Sequence, residues 1–153
     1  MPTLTEAQQV KDSAEEIFEV AKDIWAVQTR SKNRNQTEIT ETEFLALDFL
    51  LKSEQPLTVG DIQRHIGVLP AQMSRIIRAL ESKSPQPLIA CKINPQDKRK
   101  VDVALTPAGR QAHQSYRQWK LSSTEKMLAA LSESDRAEFV RIIRILRGSM
   151  HKS

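Results

Sequence analysis

The sequence predicts a mainly α-helical fold carrying one small β-hairpin, and three observations lead there. Apolar residues recur at spacings of three and four through most of the 153 residues, the period of helices with one buried face. One short stretch, in which Val101, Val103 and Leu105 alternate with Asp102 and Ala104, has the period of two that marks a strand. Four glycines and 5% aromatic residues are few, which disfavours Gly-rich nucleotide folds and β-sandwiches. A chain of this length is expected to form one folding unit, 1–153.

The first helix is expected over about residues 5–30, where Val10, Ala14, Ile17, Phe18, Ala21, Ile24 and Trp25 form an apolar stripe and Thr5 with Gln8 suits a capping box. Residues 31–39 have no apolar period and read as a polar connector. Thr40 and Glu43 then cap a helix whose buried stripe is Phe44, Leu47, Leu50 and Leu51, ending near Glu54 and Pro56. A short helix follows, started by Thr58 and Asp61, carrying Val59, Ile62 and Ile66, and stopped by Gly67.

Pro70 occupies a first-turn position of the next helix, which runs to about Ser82 with Met73, Ile76, Ile77 and Leu80 inward and Gln72, Ser74, Arg75 and Arg78 opposite. Pro85 and Pro87 end helical character. Leu88 to Ile93 and Val101 to Leu105 are expected as strands, joined by a polar loop from Asn94 to Lys100. Thr106, Pro107 and Gly109 restart a long helix, and Ser132 with Asp135 caps a last one. In that last helix Phe139, Val140, Ile142, Ile143, Ile145 and Leu146 exceed what one face of a monomer buries, so a partner copy is expected.

The net charge of +4 is unevenly spread. Residues 64–110 hold nine Lys or Arg against three Asp or Glu, whereas the rest of the chain holds fourteen against sixteen. The whole basic excess sits in one segment, and a polyanion is its natural partner. That segment contains two short helices joined by a tight turn and followed by a hairpin with a basic tip, a helix-turn-helix with a wing. Gln72, Ser74, Arg75 and Arg78 are side chains of the kind that reach base edges or phosphates in a major groove. Lys98, Arg99 and Lys100 bring three charges to the hairpin turn, where an arginine suits the minor groove, and Asp97 is placed to brace the loop or orient Arg99.

The segment Asp97 to Arg110, DKRKVDVALTPAGR, resembles the wing of the MarR (multiple antibiotic resistance regulator) family of winged helix-turn-helix transcriptional regulators, an Asp-x-Arg followed by a strand and Leu-Thr-x-x-Gly-Arg. The likeness follows element order over about residues 10–148, with motif detail from Leu57 to Arg110. It implies a DNA-binding lobe over 40–105 and dimerisation helices over 5–30 and 106–148. It also implies a homodimeric repressor on a pseudo-palindromic operator, Arg99 as the wing arginine, and control by a small phenolic or lipophilic effector. Two departures stand out: Ser84, Pro85, Gln86 and Pro87 replace a customary glycine, and only Lys92 represents a customary basic pair on the first wing strand.

Other readings are weaker. A winged helix can serve as a protein-interaction module, and Cys91 invites a redox-sensing role, although a lone strand cysteine is ordinarily inert. Phe18, Trp25, Tyr116 and Trp119 suit either an effector pocket or a core. His65 is in reach of a phosphate, but His65, His113 and His151 are too scattered for a metal site, and no cofactor is expected. No nucleophile elbow or phosphate loop is present, so no enzyme is expected. No apolar run approaches the roughly 18 residues that span a bilayer, and the opening Met1, Pro2 and Thr3 lack a leader's pattern, so a cytoplasmic protein without membrane contact is expected.

Overall fold

The computed structural model describes residues 5–31 and 38–152. Most of the polar connector expected at 31–39 lies outside the described residues. The chain forms two compact units, one of residues 33–118 and the other of residues 1–32 together with 119–153.

The first of these units contains α2 (Glu41–Lys52), β1 (Leu57–Thr58), α3 (Val59–Ile66), α4 (Pro70–Glu81), β2 (Ile89–Ile93), β3 (Val101–Leu105) and the start of α5 (Pro107–Ala129). Its helix starts are written in the sequence. Thr40 accepts from the Glu43 amide while the Glu43 carboxylate accepts from the Thr40 amide, and Thr58 and Asp61 repeat this arrangement at α3. Each box satisfies backbone donors that the first turn leaves without helical partners. The core gathers Ala46 and Leu47 of α2, Ile62 of α3, Met73, Ile76 and Leu80 of α4, and Ile89 and Val103 of the sheet.

The sheet differs from the expected hairpin. It has three antiparallel strands in the order β1-β3-β2, because Leu57 and Thr58 pair with Val103 and Asp102 on the outer side of β3. A two-residue strand is too short to show a period of two, and Thr58 announces itself as a helix cap; it serves as both. The hairpin register runs from Ile89 opposite Leu105 to Ile93 opposite Val101.

The base of the hairpin is held against α5 by an unusually close approach. A Cβ on Gly109 would lie 2.1 Å from the Leu88 carbonyl oxygen and 2.7 Å from Leu105 Cδ1, so only glycine lets the first turn of α5 sit there. Thr106 caps that turn, its Oγ1 accepting from the Gly109 amide at 3.0 Å and donating to the Pro87 carbonyl at 2.7 Å. One turn further on, buried His113 meets Asp48 of α2, with Nε2 and Oδ1 2.8 Å apart, and stacks on Phe44, whose other neighbour is the ring of Tyr116. Tyr116 therefore belongs to this core.

The second unit contains α1 (Glu6–Arg30), the remainder of α5 and α6 (Glu133–Met150). Gln28 ties α1 to α5: its Nε2 donates to the Lys120 carbonyl at 2.9 Å, its Oε1 accepts from Lys120 Nζ at 3.0 Å, and its own carbonyl accepts from Trp119 Nε1 at 3.0 Å. Ser132 caps α6 by accepting from the Asp135 amide. No residue of α6 is buried, and α1 leaves Phe18 and Trp25 about two-thirds exposed. Among the described residues no helix is long and apolar enough to cross a membrane.

Candidate nucleic-acid interface

The reading helix is aimed by a short turn. Gly67 ends α3 in the left-handed region, with φ of 79°, a conformation glycine enters without a Cβ penalty. Pro70 opens α4, where its missing N–H and fixed φ suit the first turn. With Met73, Ile76 and Leu80 committed to the core, helical phase leaves Gln72, Ser74, Arg75 and Arg78 all exposed. Among the described residues none of these four side chains has a hydrogen bond or ion pair. Lys83, by contrast, is withdrawn from the basic surface by buried Glu43, 3.4 Å away.

The wing is braced from inside. Asn94 Oδ1 accepts from the amides of Gln96 and Asp97 at 2.9 and 3.0 Å, and its Nδ2 donates to Asp102 Oδ1 at 3.0 Å. Backbone bonds from the Asn94 amide to the Lys100 carbonyl and from the Lys100 amide to the Asp97 carbonyl close the loop. Asp97 then takes Arg99 in a fork: Oδ1 accepts from the Arg99 amide and Nε at 3.1 Å, and Oδ2 from Nη2 at 3.2 Å. Those bonds hold the Asp97 carboxyl below its ordinary range. The Arg99 side chain stays 90% exposed, with donors left to offer outward. Lys98 and Lys100 are exposed beside it.

Sequence reasoning placed Asn94 and Asp102 in the hairpin but gave neither a bracing role. The available signal was an Asn two residues before a turn, where its side chain caps local amides. It also left the helix-to-wing connection open across Pro85 and Pro87. That connection is tied at its end, because the Leu88 amide donates to the Leu80 carbonyl at 2.9 Å and Thr106 holds the Pro87 carbonyl.

Between helix and wing lies an open cleft of about 610 Å³. Ser74, Ile77, Arg78 and Glu81 of α4 form one wall, Arg64 and Val59 of α3 another, and Cys91 of β2 with Arg99, Lys100 and Val101 of the wing the third. Burial, then the charge and hydrogen bond of Glu81, push the Cys91 thiol up to about 11. His65 is exposed with its ring stacked on Phe49, the centroids 3.7 Å apart. Of the four aromatics named from sequence, Tyr116 lies in the lobe core, Trp119 bonds to α1, and Phe18 and Trp25 are exposed on α1. Among the described residues no group of three or more His, Cys, Asp or Glu is placed to hold a metal.

The model of the MarR family matches residues 39–101, the stretch that builds α2 to the wing. Over that stretch the lobe is similar to the MarR family. No curated protein matches the sequence. Among solved structures, the MarR fold recurs in a MarR family protein from Bacillus stearothermophilus (18% identity, TM-score 0.77, covering 97% of this chain and 99% of that one). The YusO protein of Bacillus subtilis is similar at 21% identity and a TM-score of 0.74, covering 95% and 99%. Streptococcus pneumoniae FabT, solved in complex with DNA, is similar at 20% identity and a TM-score of 0.66, covering 96% and 99%.

Proposed function

We propose that this MarR-family chain is a homodimeric, sequence-specific regulator of transcription acting as a repressor. Its α4 faces would enter successive major grooves of a pseudo-palindromic operator, with Arg99 in the flanking minor grooves. The observation that carries the reading is the joint presentation of two exposed basic surfaces. The exposed face of α4 and the tip of the wing wall the same cleft, and every basic side chain on α4 is free of a carboxylate partner. FabT, similar in fold, is itself found on DNA.

Apolar exposure supports the dimer. Ile145 at 59%, Ile17 at 58% and Trp25 at 63% leave large apolar side chains to water, and a second copy of α1, α5 and α6 would cover them. Control by a small aromatic or lipophilic ligand is part of the same reading and rests on family resemblance.

Fluorescence anisotropy against fragments from the genome carrying this gene tests the proposal. Affinity is expected to fall by orders of magnitude from 50 to 200 mM salt as Lys and Arg contacts release counterions, with a stoichiometry of two chains per site by light scattering. Absence of salt-sensitive binding to every fragment would refute it.

A further inference from the structure

Gln72, Ser74, Arg75 and Arg78, all exposed on α4, do not share one role, and the cleft separates them. At 100° per residue, Ser74, Ile77, Arg78 and Glu81 fall at i, i+3, i+4 and i+7 and form a single stripe, and all four line the cleft. Gln72 and Arg75 lie on the other exposed flank of the helix and do not line it. They also sit in the N-terminal half of α4, the part of a recognition helix that reaches base edges.

Resting on the proposed function above, a geometric constraint gives the cleft its occupant. In duplex DNA the major groove is divided from the adjacent minor groove by one sugar-phosphate strand. A protein with a helix in the first and a hairpin tip in the second must straddle that strand, and the space between helix and hairpin is where the strand runs.

We infer that Arg64, Arg78 and Lys100 grip the phosphates of this strand from three walls of the cleft, and that Gln72 and Arg75 alone on α4 read bases. Arg64 enters the interface from α3, which sequence reasoning did not assign to DNA. Its Nη2 is held by Asp61 Oδ1 at 2.6 Å, which presets the guanidinium, and its side chain is 74% exposed with further donors available. Among the described residues Arg78 makes no ion pair, and Lys100 feels the charge of Asp97 without a salt bridge.

The two acids in the cleft fit this arrangement. Asp61 is occupied by the Thr58 amide and by Arg64. Glu81 interacts with Cys91, and its charge repels phosphate from that part of the cleft.

Full-length protein, a duplex carrying its site and a scrambled duplex of equal length separate the roles. Arg64→Ala and Arg78→Ala are expected to weaken binding to both duplexes by the same factor and to flatten the salt dependence by about one phosphate's worth, a slope change near 0.9. Arg64→Lys keeps the slope, because a phosphate needs a charge more than a fork.

Gln72→Ala and Arg75→Ala are expected to lower affinity for the true site by about 5- to 150-fold while leaving the scrambled duplex and the salt slope unchanged. Circular dichroism confirms that each variant is folded. An Arg78→Ala protein that loses discrimination at an unchanged slope, or an Arg64→Ala protein that binds as the parent does, overturns the assignment while leaving the regulator reading intact. A parent protein with no salt-sensitive binding to any duplex overturns both.

Discussion

Replacing Gly109 with alanine is a one-methyl change aimed at the joint between wing and scaffold. The added Cβ would sit 2.1 Å from the Leu88 carbonyl oxygen, more than 1 Å inside the 3.4 Å at which ordinary contact begins, and 2.7 Å from Leu105 Cδ1. The Leu105 methyl can rotate away, but the Leu88 carbonyl cannot. It accepts from the Thr106 amide at 3.2 Å, and the Leu88 amide is bonded to Leu80. Relief therefore means lifting the first turn of α5 from the hairpin base and straining the Thr106 cap.

Overpacking of this kind costs about 1–3 kcal/mol, and a backbone neighbour puts it at the upper end. Alanine returns up to about 1 kcal/mol through its helix propensity. The net is a loss of about 2 kcal/mol, or roughly 4–8 °C in Tm for a chain of this size, read by urea and thermal denaturation followed by circular dichroism. Gly67→Ala is the comparison, since no atom lies within 4 Å of its Cβ and only the positive φ of 79° opposes it, a penalty of about 1 kcal/mol. A Gly109→Ala protein as stable as the parent, or more stable than Gly67→Ala, would refute the reasoning.

Further predictions follow from single groups. Burial works to raise the Asp48 pKa, but hydrogen bonds from His113 and Lys52 prevail and hold it below the ordinary 3.8. The unfolded chain thus takes up this proton first, and the stabilisation is present above about pH 4 and lost as pH falls through the folded value. The stability gap between parent and Asp48→Asn is expected to narrow below pH 4 in urea melts; a constant gap would count against it. With its pKa near 11 against a usual 9.0, Cys91 is expected to react with a thiol reagent at pH 8 on the order of 100-fold more slowly than free cysteine, and the DNA affinity of the parent to be unaltered by peroxide. Thr58→Ala removes the acceptor for the Asp61 amide and is expected to lower stability by about 1 kcal/mol in the same urea assay. Asp97→Ala frees Arg99 without touching the core, so it should weaken DNA binding less than Arg99→Ala does, at an unchanged urea midpoint; the reverse order would show that Asp97 does not act through Arg99.

The helices were legible because their ends carry chemistry. Thr5, Thr40, Thr58 and Ser132 each stand where a side chain accepts from the amide three residues on, and Gly67 and Pro70 punctuate the turn between α3 and α4. What escaped depends on contacts between distant segments. The pairing of Leu57 with Val103, the need for glycine at position 109 beneath Leu88, and the Asn94–Asp102 bond leave no local pattern, because each is a match between two stretches of chain. The site shows the same division. That Gln72, Ser74, Arg75 and Arg78 share an exposed face follows from helical phase. That Ser74 and Arg78 turn toward the wing, with Arg64 opposite, depends on where the hairpin sits.

The two-residue strand β1 carries a consequence for how such a protein changes its target. Asp61 and Thr58 lock the start of α3, Thr58 sits opposite Asp102 in the sheet, Asp102 holds Asn94, and Asn94 and Asp97 shape the loop that carries Arg99. This relay runs from the helix-turn-helix to the tip of the wing without using Gln72 or Arg75. On the proposed assignment alignment and vocabulary are stored in different residues, so substitutions at those two positions are expected to alter which letters are read while the grip on the duplex keeps its geometry.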